Sequence, residues 1–189
     1  MKNQLKTATL LLLAVALTAF TNIDGEKVMV KDSSITWLGK KVTGQHEGTI
    51  SLKSGYFMMD GESMVGGEFV IDMQSITVTD LKAGKGKEKL EGHLKSGDFF
   101  GVDNHPTATL TIKRAARTGN KYTVTADLTI KDITNPITFD IMRDGNKMTA
   151  NVTVDRSKFD VRYGSGSFFD NLGDKTIYDD FDLTVKLNL

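Results

Sequence analysis

Residues 121–130, K-Y-T-V-T-A-D-L-T-I, alternate apolar and polar side chains without a break. Because successive side chains of a β-strand point to opposite faces, this period of two predicts a strand with one apolar and one polar face. Residues 107–112, T-A-T-L-T-I, repeat the pattern, and Gly119-Asn120 between the two stretches indicates a turn. The two stretches therefore predict neighbouring antiparallel strands that share a buried face.

The same alternation recurs on both sides of this pair. It covers residues 34–43, 46–53, 68–73, 137–141, 148–155 and 177–187. Turn residues separate these stretches, at Ser54-Gly55, Asp60-Gly61, Asn135-Pro136 and Asp144-Gly145-Asn146. About eight strands at this spacing predict an all-β domain, which is either a sandwich or a closed barrel.

A barrel with one apolar face can be built in two ways. A soluble barrel places the apolar face inside, whereas an outer-membrane barrel places it outside against lipid. The second kind has aromatic girdles at its strand ends, but the aromatic residues here stand singly in mid-strand, and the chain ends in Asn188-Leu189. The sequence favours the soluble barrel and leaves the outer-membrane barrel as the alternative.

One segment, H-L-K-S-G-D-F-F-G-V-D-N-H-P at residues 93–106, interrupts the alternation. Two adjacent aromatic residues cannot face the same side of a strand, whereas a turn can direct both Phe99 and Phe100 into a core. Residues 85–95 place Leu90 and Leu94 four positions apart, which predicts a short amphipathic helix. Together these features predict a helix followed by a buried plug that closes the barrel.

Composition excludes some classes of function. The chain has 24 basic and 24 acidic side chains, so it lacks the excess of positive charge with which proteins neutralise nucleic-acid phosphates. We therefore expect no nucleic-acid partner. The chain has no cysteine, so the domain is held together without disulfides.

The first residues are typical of a secretory signal peptide. Lys2 and Lys6 precede an uncharged run at residues 8–20, which is shorter than the roughly 20 apolar residues of a transmembrane helix. We expect residues 1–21 to be a signal peptide and residues 22–189 to form the barrel, in the periplasm or secreted. An uncleaved membrane anchor is the alternative.

The interior could be hollow or filled. A barrel of about eight strands holds one small ligand or fills itself with side chains. Small residues occur at several inward positions, namely Gly39, Gly48, Ala108, Ala126 and Ala150. Methionines, which adapt to an apolar guest, are also frequent. These features leave a ligand cavity and a filled structural barrel equally open.

Metal binding and catalysis are less favoured. His46, His93 and His105 lack ligand spacing, so we expect no metal, and we expect His93 and His105 to bond to the backbone and fix the plug. Paired acids stand at turns or strand starts, namely Asp60 with Glu62 and Asp179 with Asp180. No nucleophile–base constellation is present, so we expect no enzyme; a hydrolase is the remaining alternative.

Several motifs together resemble the YceI-like family. H-L-K-S-G-D-F-F at 93–100 is followed by N-H-P-T-A-T-L at 104–110. The companion motifs are V-T-G-Q-H-E-G-T-I at 42–50, G-G-E-F-V-I-D-M-Q-S-I-T-V at 66–78 and D-R-S-K-F-D-V-R-Y at 155–163. The resemblance covers essentially all of the chain after residue 21. It departs from the family pattern in the first strand and in residues 164–175.

The resemblance implies a lipocalin-like antiparallel β-barrel with one or two short helices, exported, without a cofactor or catalysis. It implies that a polyisoprenoid or another long-chain, fatty-acid-like amphiphile lies inside. Transient membrane contact and a homodimer through an exposed edge are further expected partners. Residues expected to contact the ligand are Trp37, Phe57, Met59, Phe69, Ile71, Leu94, Phe99, Phe100, Leu110, Phe139 and Met148.

Overall fold

The computed structural model describes residues 25–189, so the signal peptide predicted at residues 1–21 lies outside the described part. The strands and the helix are β1 (Glu26–Met29), β2 (Asp32–Lys41), β3 (Gly44–Asp60), β4 (Ser63–Val78), α1 (Lys87–Lys95), β5 (Thr107–Thr118), β6 (Lys121–Ile130), β7 (Ile133–Asp144), β8 (Lys147–Asp155) and β9 (Ile177–Asn188). Short 3₁₀ turns occupy Arg156–Phe159 and Gly173–Lys175. Within the described residues, no helix is long and apolar enough to cross a membrane.

The strands form one closed antiparallel barrel. Their order is β1-β3-β2-β9-β8-β7-β6-β5-β4, and pairing of β3 with β4 closes the ring. The short β1 continues the edge of β3 that β2 occupies, because Tyr56–Met59 of β3 pair with β1 and Gly44–Ile50 pair with β2. The prediction of a barrel of about eight strands is confirmed, and the sandwich is excluded. The sequence did not reveal β1, which has four residues.

The two ends of the barrel differ. The turn end carries the hairpins at residues 60–63, 118–121 and 144–147. The lid end carries the hairpins at residues 41–44 and 130–133 together with both long connections, at residues 79–106 and 156–176. The long connections supply α1, the plug (residues 96–106) and the C-terminal loop (residues 156–176).

Apolar side chains face the barrel interior. Along β6, for example, Tyr122, Val124 and Ala126 are buried, whereas Thr123 between them is exposed. The alternative with an apolar outer face against lipid is therefore wrong. At the turn end the interior is filled by a core cluster, in which the Tyr122 hydroxyl donates a 2.8 Å hydrogen bond to the carbonyl of Glu62.

Two predicted turns are wrong. Ser54-Gly55 lies within the continuous strand β3, and a Cβ at Gly55 would stand 2.5 Å from the Phe69 ring, so this glycine allows a close approach rather than a turn. Asn135-Pro136 lies within β7. The turn before β7 is formed by Lys131 and Asp132, whose φ angles of 50° and 61° are those of a two-residue hairpin.

The seam between β7 and β8 is only partly hydrogen-bonded. The two strands pair from Ile141–Ala150 to Asp144–Lys147 and then diverge. Residue pairs of the β6–β7 hairpin alternate between hydrogen-bonded and non-hydrogen-bonded types, and Pro136, paired with Asp127, is of the non-hydrogen-bonded type. The nitrogen of Pro136, which carries no hydrogen, therefore faces the unpaired edge of β7 and not β6. Val152, on the β8 side of the diverging region, is buried and lines the cavity.

Gly48 is expected to tolerate no side chain. A Cβ there would lie 1.8 Å from the carbonyl oxygen of Thr77 and 2.5 Å from the Trp37 ring, because Gly48 pairs with Trp37 across β2 and β3. We predict that Gly48→Ala lowers the free energy of unfolding by about 3 kcal/mol, measured by urea denaturation. Gly39→Ala is the matched control, since a Cβ at Gly39 meets nothing within 4 Å. Equal losses in both variants would contradict this account.

Candidate ligand-binding site

An apolar cavity of about 210 Å³ occupies the barrel between the turn-end core and the plug. Strands β2 to β9, α1 and the plug all contribute to its wall. The structure places every predicted contact residue except one in this wall: Trp37, Phe57, Phe69, Ile71, Leu94, Phe99, Phe100, Leu110, Phe139 and Met148. That these residues contact a ligand stays a prediction.

Met59 is the exception, and the reason is its depth. It lies two residues beyond Phe57 toward the turn end, in the part of the barrel that the core cluster fills. Sequence reasoning also missed further wall residues on the same alternating faces, among them Ile35, Ile50, Leu52, Leu128, Ile137, Val152 and Leu183. The alternation places these residues inside, but it does not say how deep the filling reaches.

The interior is therefore filled at one end and hollow at the other. A cavity of about 210 Å³ exceeds the roughly 150 Å³ of an engineered apolar cavity that admits benzene. It is below the roughly 300 Å³ at which drug-sized pockets begin. The two alternatives predicted from the sequence, a ligand cavity and a filled barrel, thus each describe one part of the interior.

Trp37 brings one polar atom to this wall. Its ring lies in the space left by Gly48, and its indole nitrogen is buried without a hydrogen-bond partner. A buried donor without a partner costs free energy, so an acceptor that reached Trp37 would offset that cost.

The plug is a compact turn rather than a strand, as predicted. Backbone hydrogen bonds hold it to the end of α1: the amide of Phe100 donates to Leu94 at 3.2 Å, and that of Val102 to Lys95 at 3.0 Å. Phe99 is buried and meets Phe100 edge-on, with ring centroids 4.9 Å apart. Both rings lie in the cavity wall, so the plug is also the roof of the site.

The expected backbone bonds of the histidines are not observed. The His93 ring packs edge-on against Tyr163, 4.3 Å away, and against Phe99, and its buried Nε2 has no partner. Nδ1 of His105 lies 3.0 Å from the Asp132 carboxylate. His93 therefore fixes the plug through aromatic packing instead, because Tyr163 of the C-terminal loop reaches over it.

Asp80 attaches the start of the long connection to β3. Its carboxylate lies 2.7 Å from Nδ1 of His46 and accepts a 3.2 Å hydrogen bond from the amide of Glu47. Burial acts to raise the pKa of Asp80, but these bonds outweigh burial and lower the pKa below its ordinary value. The carboxylate is thus held in its charged form at the base of the lid end.

Arg156 is a buried cation at the lid end of the cavity wall. Its guanidinium donates to the carbonyls of Tyr178, Val161 and Ile177 at 3.2, 2.7 and 3.0 Å. Asp179 lies 3.4 Å away as its counter-ion, and the Phe99 ring lies beneath it, 5.3 Å from ring centroid to guanidinium carbon. Burial lowers the pKa of Arg156, while Asp179 and Asp155 oppose that effect. Arg156 thus joins the C-terminal loop, β9 and the plug.

No group of three or more potential metal ligands occurs among residues 25–189. A second, open depression near Lys40 and Asp182 lies outside the barrel and is lined mostly by charged residues. The arrangement that the structure does assemble is an apolar chamber with a few polar groups near its lid end.

Curated relatives match part of the chain. A UPF0312 protein of Staphylococcus aureus (strain USA300) is 36% identical over 87 residues, which are 40% of this chain and 48% of that protein. A UPF0312 protein of Pectobacterium atrosepticum is 29% identical over 69 residues, 36% of each chain. The chain therefore spans about half the length, or less, of the curated relatives it matches.

Solved structures share the fold over most of the chain. BcnA of Burkholderia cenocepacia superimposes with a TM-score of 0.63 at 23% identity, covering 82% of this chain and 94% of BcnA. A polyisoprenoid binding domain from Saccharophagus degradans gives 0.60 at 13% identity, covering 86% and 97%. At these identities the likeness concerns the fold. A model of the YceI-like domain matches residues 27–189, and the chain belongs to the YceI-like family.

Proposed function

We propose that this chain is an exported lipid-binding protein that holds a polyisoprenoid or another long-chain amphiphile inside its barrel, as a carrier, store or sequestering protein. The observation that carries the proposal is the apolar cavity of about 210 Å³ beneath the plug. The related fold from Saccharophagus degradans, described as a polyisoprenoid binding domain, supports this class of ligand. The role requires no catalysis.

Burial of the ligand supplies enough free energy for such a role. Each buried CH₂ group contributes about 0.8 kcal/mol, so a five-carbon prenyl unit contributes about 3–4 kcal/mol before costs. Association costs about 4–15 kcal/mol. Several buried prenyl units are therefore needed for tight binding, which favours long chains over short ones.

The size of the cavity limits how a long chain is held. A chain of many prenyl units exceeds about 210 Å³, so its tail occupies the barrel and the rest passes the lid end. The two charged side chains of the wall, Arg156 and Asp180, are at this end. We propose that the polar head of the ligand stays there, since a head group at the filled turn end would lose its hydration.

A titration with prenyl alcohols tests the proposal. Trp37 is the only tryptophan of the chain and lies in the cavity wall, so its fluorescence reports filling. From geraniol through farnesol to geranylgeraniol, we expect affinity to rise at least tenfold per prenyl unit and to level off once the cavity is full. Affinity independent of chain length, or no change in fluorescence, would contradict the proposal.

The cellular setting belongs to the same proposal. Export to the periplasm or the medium rests on the signal-like residues 1–21. Because long isoprenoids reside in membranes, we also propose transient membrane contact during loading and release. A homodimer stays a prediction, and a filled barrel with a surface role is the alternative that the fluorescence titration would favour if no ligand entered.

A further inference from the structure

Large apolar side chains that are exposed concentrate at the lid end. Those among residues 25–189 are Met29, Val42, Ile133, Met142, Tyr163, Phe168, Phe169 and Tyr178. Met29 and Met142 belong to the turn-end half of the barrel, where Met29 pairs with Tyr56 and Met142 with Lys121. The others lie at the lid end, on its two hairpins, on the C-terminal loop and, for Tyr178, at the start of β9.

The aromatic members form one area, the mouth patch: Tyr163, Phe168, Phe169 and Tyr178, which are 48%, 40%, 50% and 49% exposed. Ile177 donates a backbone hydrogen bond to Gly164 at 2.8 Å, and the Ser167 hydroxyl donates to Asp179 at 2.6 Å. These bonds place the loop beside the start of β9, so the rings of the loop and that of Tyr178 lie at the same end of the barrel. About half exposed, the four side chains together present on the order of 350 Å² of apolar surface, which is comparable to the largest apolar patch of a typical monomer.

Hydrogen bonds within the C-terminal loop hold the rings of Phe168 and Phe169 on the protein surface. Ser165 is fully buried, and the amides of both Phe168 and Phe169 donate to its carbonyl, at 3.2 and 3.1 Å. The hydroxyl of Ser165 accepts a further hydrogen bond from the amide of Ser167. Arg162 stacks over the Phe168 ring at 5.1 Å. A turn anchored at its base therefore holds two adjacent phenylalanines in solvent.

The charge around the patch indicates what covers it. Residues 156–180, which include all four rings of the patch, carry four basic and five acidic side chains, so their charges nearly balance. The patch therefore offers little net attraction to an anionic or cationic partner. Tyrosine and phenylalanine beside arginine and lysine are the residues that settle at the boundary between lipid headgroups and acyl chains.

We propose that the mouth patch docks the protein on the surface of a zwitterionic phospholipid bilayer, with the lid end of the cavity facing the membrane. The inference rests on the proposed function, because this orientation lets a lipid tail pass between bilayer and cavity without crossing water. The partner is the lipid surface itself, and the aromatic rings enter its headgroup region.

Flotation with phosphatidylcholine vesicles tests the docking surface, using the protein as isolated from cells. We expect wild type to float with the vesicles equally in low and high salt. Phe168→Ser/Phe169→Ser should lower the partition coefficient at least tenfold, and Phe168→Trp/Phe169→Trp should raise it. The control Met29→Ser/Met142→Ser removes similarly exposed apolar side chains at the other end and should stay within twofold of wild type.

Several results would overturn the inference. Wild type could fail to float, or could float only in low salt. The two serine double variants could also lose vesicle binding equally. A wild-type dimer that Phe168→Ser/Phe169→Ser dissociates would show that a second copy covers the patch. Farnesol uptake measured without vesicles separates the two proposals. If wild type takes up farnesol but does not bind vesicles, only the docking proposal is refuted. If wild type does not take up farnesol, the proposed function is refuted.

Discussion

Arg156→Met is expected to lower the free energy of unfolding by about 3–5 kcal/mol. The substitution keeps the apolar stem but removes the guanidinium that satisfies the carbonyls of Val161, Ile177 and Tyr178. It also leaves the largely buried Asp179 without its counter-ion. Each buried acceptor that loses its partner costs about 1–3 kcal/mol, so the loss is large for a single residue.

Urea denaturation of three variants measures this effect. Arg156→Lys keeps a charge but cannot reach three carbonyls with one ammonium group, so we expect it to recover less than half of the loss. Arg162→Met is the matched control, because Arg162 is exposed and carries no buried hydrogen bonds; its effect should stay below about 1 kcal/mol. An Arg156→Met variant as stable as the control would mean that Arg156 does not hold the lid end together.

Ala150→Phe is expected to abolish ligand uptake while the barrel stays folded. Ala150 stands on β8 between Ile141 of β7 and Val185 of β9, with its side chain in the cavity wall. Its replacement adds a phenyl ring, a group that by itself occupies a cavity of roughly 150 Å³, to a space of about 210 Å³. Prenyl-alcohol affinity should fall at least a hundredfold, and the unfolding temperature should not fall.

The control for this substitution is Ala116→Phe. Ala116 is exposed on β5 near the turn end, outside the cavity, so the same added ring should leave affinity unchanged. A graded series supports the reading: Ala150→Leu should weaken binding less than Ala150→Phe. If Ala150→Phe bound prenyl alcohols as wild type does, the ligand would not lie in this cavity.

The sequence predicted the barrel well because a barrel strand obeys a period of two. The alternation of residues 121–130 and its repeats identified the strands, and the adjacent Phe99 and Phe100 identified the plug. The sequence-based prediction was wrong where a residue type that is common in turns occurs within a strand for another reason. Gly55 indicated a turn but makes room for Phe69, and Pro136 indicated a turn but lies on an edge that lacks a partner strand.

The site was predictable in part for a related reason. Alternation says which side chains face inward, so all predicted wall residues but Met59 reached the cavity. The depth of the cavity depends on how the large side chains of several distant strands pack at the turn end. No local sequence pattern indicates this packing. The partners of Arg156 come from a loop and a strand about twenty residues away, and the packing of His93 on Tyr163 spans seventy residues, so neither was visible before folding.

Native mass spectrometry of the protein, purified without detergent from its own cells, tests most directly whether the barrel binds a lipid in its interior. Wild type is expected to carry a bound long-chain lipid, which is released on unfolding and identified by extraction, whereas Ala150→Phe is expected to have the bare mass of the polypeptide. A wild-type protein of bare mass that also takes up no added isoprenoid would contradict the central claim.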